Sequence, residues 1–379
     1  MQDVYSKKIL VLTNNIGGLH CFRKEVMKAI VDIEYEVYIS EPDDDVRADY
    51  FKSIGCHIIK TDFNRRGMNP IADMKLMLQY RCMIKKLKPV AVLTYTIKPN
   101  IYGGIACRMT KTPQLANVTG LGDAMENGGW LQKMIVGLYR IGIGKARRVF
   151  FQNSNNRETC IRLGIADEHS KLLPGSGVSL QHHTCQSYPK DDDKIKFLYI
   201  GRLLKDKGIE EYFAAAKTIK KRYPNTEFQV LGDIEGSYQL QLAELVRVGV
   251  VDYLGATADV RPFIGNVHCT VMPSYHEGMS NVNLESAANG RPVITTNVPG
   301  CRETVDDGET GFLVEAKSTE SLIDAIERFL ALPYNQKQLM GQMARKKVER
   351  EFDRQIVVDA YLKEIKSLAN VNLNVDERR

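Results

Sequence analysis

Ser274-Tyr-His-Glu-Gly-Met-Ser-Asn-Val-Asn-Leu-Glu-Ser-Ala-Ala-Asn-Gly-Arg-Pro292 is the stretch from which the fold can be read. It begins where an apolar run, Cys269 to Met272, ends at Pro273, and it then opens a helix. Ser280 or Asn281 serves as the N-cap, and Gly290 followed by Pro292 stops the helix in the order that C-termini favour. A second strand runs from Pro292 to Thr296. Two strands joined by a tight loop and a helix belong to an open α/β sheet, where ligands bind in the loops at the carboxyl ends of the strands.

Two carboxylates sit in this stretch, Glu277 in the loop and Glu285 about a turn into the helix. At roughly 1.5 Å of rise per residue they stand too far apart along the axis to flank one reacting atom. They are spaced as two grips on one elongated ligand, each able to accept the hydroxyl protons of a vicinal diol. Gly278, Met279, Ser280 and Asn281 lie between them, and free N–H groups at a helix N-terminus suit a phosphate. Diol, phosphate, diol describes a nucleotide-sugar. The plainer alternative is a helix N-terminus with two exposed glutamates.

The 379 residues suffice for two domains with separate cores. With 44% hydrophobic and 26% charged residues the composition is that of a soluble protein. No apolar run approaches the ~20 residues of a membrane span, and no signal peptide is expected before the first strand. Eight cysteines without a Cys-x-x-Cys pair speak for a reducing cytoplasm rather than a disulfide framework or a zinc site. Charge is uneven: residues 60–148 hold 16 Lys+Arg against 4 Asp+Glu, a net of +12. That block faces an anionic membrane surface, a pyrophosphate-bearing substrate or nucleic acid, or is solvated.

From the amino end, Lys8 to Thr13 reads as a buried parallel strand, and Asn14 to His20 as a loop before a helix from about Cys21. Gly17 and Gly18 in that loop allow close approach of a ligand or a sharp turn, without the spacing of a dinucleotide site. Glu36–Ser40 and His57–Lys60 are further strands, with an acidic loop at Glu41 to Asp45 and a second loop at Phe63 to Pro70. Ile71 to Leu87 is a helix with Met74, Met77, Leu78, Met83 and Leu87 apolar and Lys75, Arg81, Lys85 and Lys86 on its other side. Lys98 follows the fourth strand, where it either meets a ligand or is a solvated loop lysine. Gln114 to Val118 leads to the glycine-rich Thr119 to Gly122. Trp130 to Arg148, apolar with a basic tail, is either an interfacial membrane helix or a core helix. Residues 174–194, with His182 and His183, read as a linker. In the second half, Gly201 to Gly208 follows a strand and carries Arg202 and Lys207, two cations placed as a diphosphate clamp. Gly232 ends the next strand, and Gly255 to Thr257 is a possible base pocket. Lys337 to Leu368 is helical, and Asn370 to Arg379 is polar and loose.

Gly-Arg-Leu-Leu-Lys-Asp-Lys-Gly, Leu-Gly-Asp, Tyr-Leu-Gly and Pro-Ser-Tyr-His-Glu-Gly…Asn-Leu-Glu-Ser-Ala-Ala-Asn-Gly-Arg-Pro-Val-Ile, in that order, resemble retaining glycosyltransferase family 4. Thr-Ile-Lys-Pro-Asn-Ile-Tyr-Gly and Thr-Gly-Leu-Gly look like its bacterial branch acting on undecaprenyl-diphosphate-linked sugars. The resemblance implies the GT-B fold: α/β, with two Rossmann-like domains facing across a cleft. The expected bounds are 1–178 for acceptor binding, 179–355 for the nucleotide-sugar, and 356–379 as a helix crossing back to the first domain. It also implies that Arg202 and Lys207 hold the leaving diphosphate and that Glu277 binds sugar hydroxyls. The amides from Gly278 to Asn281 would meet sugar and phosphate, Glu285 the ribose, and Gly17 and Gly18 the donor phosphates and acceptor. A UDP-sugar donor, a lipid-linked glycan acceptor, no metal or other cofactor, and peripheral attachment to the inner face of the cell membrane follow as expectations. Some relatives carry a histidine where this chain has Tyr95 to Lys98, so that role stays unassigned. A nucleotide-sugar epimerase of the same fold is the enzymatic alternative. A nucleic-acid-binding protein rests on charge alone, without aromatic platforms.

Overall fold

The computed structural model describes residues 6–42, 45–61, 69–120, 129–168, 170–191, 194–235 and 237–376. The chain divides into two compact α/β units, Met1–Ser176 with Gln355–Arg379, and Gly177–Arg354. Each is built on a parallel, Rossmann-like sheet.

In the first unit β1 (Lys8–Leu12), β2 (Glu36–Glu41), β3 (His57–Lys60), β4 (Ala91–Tyr95), β5 (Gln114–Val118), β6 (Arg148–Phe151) and β7 (Lys171–Leu172) lie in the order 3-2-1-4-5-6-7. Ile9 to Leu12 are fully buried because helices cover both faces, which is why this strand reads as a continuous apolar run. On one face α1 (Ile16–Asp32) packs Val26, Met27 and Ile30 against Ile9 and Val11, beside α2 (Ala48–Ser53). The other face carries α3 (Pro70–Leu87), α4 (Gly104–Thr110) and α5 (Gly129–Ile143), followed by α6 (Ser154–Arg162).

Two helical readings change in the structure. The buried side of α3 is Leu76, Tyr80 and Ile84, with the predicted Met83 and Leu87 packed beside them, whereas Ile71, Met74 and Leu78 are exposed. Spacing alone does not tell which of two apolar stripes meets the sheet. Trp130 is 74% exposed on α5, which ends at Ile143, so the basic residues after it lie outside the helix and Arg148 opens β6.

In the second unit β8 (Ile195–Ile200), β9 (Thr226–Leu231), β10 (Asp252–Tyr253), β11 (Cys269–Met272), β12 (Val293–Thr296) and β13 (Gly311–Val314) lie in the order 10-9-8-11-12-13. The helices are α7 (Ile209–Arg222), α8 (Tyr238–Arg247), α9 (Arg261–Gly265), α10 (Asn281–Ala288), α11 (Thr319–Ala331) and α12 (Tyr334–Glu351). Phe197, Tyr212, Phe228, Phe329 and Ile326 form its main core. His183 is not a linker residue. It is buried in this unit, its ring nitrogen 3.0 Å from the Asn289 amide, and burial lowers its pKa to about 4.

The predicted terminal helix is two helices, parted at Phe352 and Asp353. The second, α13 (Arg354–Asp376), continues to Asp376 rather than loosening from Asn370. It packs Val357, Tyr361 and Ile365 into the core of the first unit, where Tyr361 bonds Asn117 and Glu364 pairs with Arg148 at 2.9 Å.

Candidate active site

In both sheets the strand order reverses beside the first strand, between β1 and β4 and between β8 and β11. The loops after these strands stand at the carboxyl edge, the usual ligand position in such sheets. In the second unit the loops after β8 and β11 carry Arg202, Lys207 and the Glu277 to Asn281 segment.

Lys207 and Glu277 form an ion pair, Nζ to Oε1 2.8 Å, with each side chain 18% exposed. Ser274 Oγ donates to the same carboxylate at 3.1 Å, and the Tyr275 amide donates to the Asp206 carbonyl at 2.9 Å, so the two loops are stitched together. The helix α10 begins as its caps require: of the two candidates Ser280 is the N-cap, accepting from the Asn283 amide. Of the four amides predicted to be free, that of Ser280 donates to the Gly300 carbonyl at 2.7 Å. Among the described residues, those of Met279 and Asn281 meet no acceptor, while Gly278 is engaged in a contact of its own. The Met279 side chain is buried with Leu284 and Val348, so only its backbone faces the site.

Arg202 does not join the Lys207 pair. It is exposed and bonded to Glu235, Nη1 to Oε1 3.1 Å. Sequence reasoning missed Glu235, because a partner 33 residues away leaves no local signal. Glu285 is partly buried, and among the described residues its carboxylate accepts no hydrogen bond. Burial raises its pKa to about 7, with nearby Arg354 pulling it down. Gly232, at the end of β9, packs its backbone against the Gly201 carbonyl and donates to Gly255 at 2.7 Å.

The predicted residues of the first unit are less open. Gly17 and Gly18 lie in the first turn of α1, not in a loop, because Asn15 caps the helix by accepting from the Gly18 amide at 2.9 Å. The space beside Gly17 is filled by the Arg47 guanidinium, itself bound to Asp45. Lys98 is neither solvated nor empty: it pairs with Asp73 at 2.9 Å, and Asp73 also accepts from Tyr102. Leu121 and Gly122, most of the Phe63 to Pro70 loop, and Asp43, Asp44, Asp192 and Asp193 lie outside the described residues.

Two family models cover most of the chain: "Glycosyl transferases group 1" matches residues 183–347 and "Glycosyl transferase 4-like" matches residues 8–153. The chain is a glycosyltransferase of the GT-B fold. It is 25% identical to the N,N'-diacetylbacillosaminyl-diphospho-undecaprenol alpha-1,3-N-acetylgalactosaminyltransferase of Campylobacter jejuni over 94% of this chain and 97% of that one. It is 28% identical to the capsular polysaccharide biosynthesis glycosyltransferase CapM of Staphylococcus aureus, covering 83% and 85%. Its fold matches that of Anabaena HepE, crystallised with UDP and glucose, at a TM-score of 0.77 with 17% identity, over 95% and 99% of the two chains.

Gly300 sets the position of the glycosyltransferase's Glu277 loop. Its φ is +83°, and a Cβ there would lie 2.3 Å from the Glu277 carbonyl oxygen. Its carbonyl binds Ser280, and its amide donates to Glu303 at 2.7 Å. Gly300→Ala is expected to push the loop away and lower kcat/KM on the order of 10²-fold, as ångström-scale misplacement does. The check is steady-state kinetics on variant protein whose melting curve shows it folded.

Glu285 gives the glycosyltransferase a pH-dependent stability term. Its folded pKa is raised above the unfolded value of 4.5, so the folded chain keeps a proton there that the unfolded chain releases. The associated stability is fully present below 4.5 and is lost as pH rises to about 7. Glu285→Gln, which cannot ionise, is expected to flatten that slope in urea melts taken across this window.

Proposed function

We propose that this glycosyltransferase moves a hexose or N-acetylhexosamine from a UDP-sugar, with retention, to a polyprenyl-diphosphate-linked glycan acceptor in surface-glycan synthesis. The observation that carries the reading is the second unit's switch point, where the Lys207–Glu277 pair lies in the same pair of loops as two amides without acceptors among the described residues, with Glu285, likewise unbonded among them, further along the helix. These groups match a diol, a phosphate and a second diol. The name of the Campylobacter relative supports the lipid-diphosphate acceptor, and the UDP and glucose bound to the Anabaena protein support the donor.

As the sugar leaves, negative charge builds on the diphosphate. Lys207, Arg202 and the N-terminus of α10 stabilise it without a metal. The leaving phosphate takes the acceptor's proton on the same face, so no side-chain base is required. Activity undiminished by a chelator is the expected result.

Among the described residues no helix is long and apolar enough to cross a membrane. Peripheral attachment to an anionic membrane face is supported by the α3, α4 and α5 layer, where Ile71, Met74, Trp130 and Met134 are exposed. Residues 69–120 and 129–148 hold 13 cations and one carboxylate, Asp73, which is consumed by Lys98.

The test is UDP release, screened across UDP- and GDP-sugars with and without a short polyprenyl-diphosphate-sugar acceptor. Release that depends on the acceptor identifies transfer and donor together. Interconversion of UDP-sugars with no acceptor present would replace transfer by epimerisation.

A further inference from the structure

The first unit contains a basic pocket remote from the switch-point loops. It lies at the amino ends of β5 and β6, the opposite edge of the sheet, and has a volume of about 390 Å³. That is within the ~300–1,000 Å³ range of small-ligand sites. Its rim is Arg108, Lys111, Lys145 and Arg147, all exposed, and no carboxylate lines it.

The fold forces these four cations together. A Cβ on Gly104 would lie 1.9 Å from the Gly142 carbonyl, so α4 and α5 cross with their backbones touching. Lys111 follows the end of α4 and Lys145 follows the end of α5. Gln114, buried at the start of β5, forms part of the floor and is held by bonds to Thr94 and the Asn100 carbonyl.

Cations past helix C-termini often answer the macrodipole by bonding the last carbonyls. Among the described residues, none of these four side chains donates to a carbonyl or pairs with a carboxylate. Some exposed cations elsewhere do find partners, as Arg222 does with Glu327 and Arg247 with Glu244. Four like charges held around a concave, part-apolar floor repel one another unless an anion sits among them. Two guanidinium forks and two ammonium groups suit the several oxygens of a phosphate.

We infer that this pocket binds a phosphate group, separately from the nucleotide-sugar and acceptor sites. The phosphate comes from a lipid headgroup or from a soluble phosphate ester, and the two are told apart by the probe that binds. Exposed Met109 on α4 and Ile141 on α5, each beside a rim arginine or near the pocket mouth in sequence, are placed to touch acyl chains in the first case.

The experiment uses the full chain and reads binding, not transfer, so its outcome is independent of the proposed reaction. Inorganic phosphate and glycerol phosphate are titrated by calorimetry. Vesicles of phosphatidylcholine, with and without phosphatidylglycerol, are tested by co-sedimentation. The wild type is expected to bind either the soluble phosphates or only the anionic vesicles. Lys145→Gln with Arg147→Gln is expected to weaken that binding by at least about tenfold. Arg108→Gln with Lys111→Gln, on the other wall, should do the same. Lys220→Gln with Lys221→Gln, on α7 of the other unit, removes equal charge and should leave binding unchanged. An equal loss from the α7 pair would reduce the effect to net charge and overturn the site. So would wild-type binding in both pocket variants, or no binding of any probe by the wild type.

Discussion

Lys207→Ala is expected to lower kcat by about 10²–10³-fold with little change in donor KM, the usual cost of removing one preorganised donor from a developing anion. The lysine is only 18% exposed and is fixed by Glu277, so in the proposed reaction it meets the leaving diphosphate with little reorganisation and little solvent screening. Arg202→Ala should cost less, because that side chain is 54% exposed and must exchange Glu235 for the phosphate. Glu277→Ala should impair transfer more than UDP binding, since its carboxylate is assigned to the sugar. The same carboxylate positions Lys207, so the double variant Lys207→Ala, Glu277→Ala should lose less than the product of the single losses. Single-turnover rates and UDP titrations on the wild type and these four variants decide the matter. Unchanged turnover in both Lys207→Ala and Arg202→Ala would rule out the clamp, and equal loss of transfer and UDP binding in Glu277→Ala would remove its sugar-side role.

Arg291→Met is expected to destabilise the second unit by about 3–4 kcal/mol, several times the effect of an ordinary surface change. Arg291 is fully buried and has no carboxylate partner among the described residues. Its guanidinium donates to five carbonyls, those of Gln186, Ser187, Gly265, Asn289 and Gly290, and lies over the Tyr188 ring at 5.4 Å from its centroid. It ties the segment before β8 to the end of α10. Methionine fills much of the volume but supplies no donor, and of the five carbonyls only that of Asn289 keeps another among the described residues, the Gln186 amide. Lysine, with three donors on one atom, cannot reach all five and should fall between. A drop in Tm of about 10 °C for the methionine variant is the scale expected for a unit of this size. A loss below about 1 kcal/mol would mean that the carbonyls find other donors.

The parallel sheets were legible in the sequence because strands buried on both faces leave uninterrupted apolar runs, as at Ile9 to Leu12 and Cys269 to Met272. The α10 start was legible because Ser280, Gly290 and Pro292 act within a few residues of one another. Composition and motif order likewise carried the family. What only the tertiary structure decided was which groups are free to meet a ligand. Lys98 and Gly17 read as open positions, yet Asp73 and Arg47 occupy them, through contacts 25 and 30 residues apart in the chain. The Ser280 amide is spent on Gly300, and Arg202 on Glu235, while the Glu285 carboxylate accepts no bond among the described residues. The stripe of α3 that meets the sheet was equally undecided, since two apolar faces are compatible with its sequence. Local signals set where elements begin and end. Pairing between distant residues depends on how the packed sheets bring their loops together, and no spacing along the chain records it.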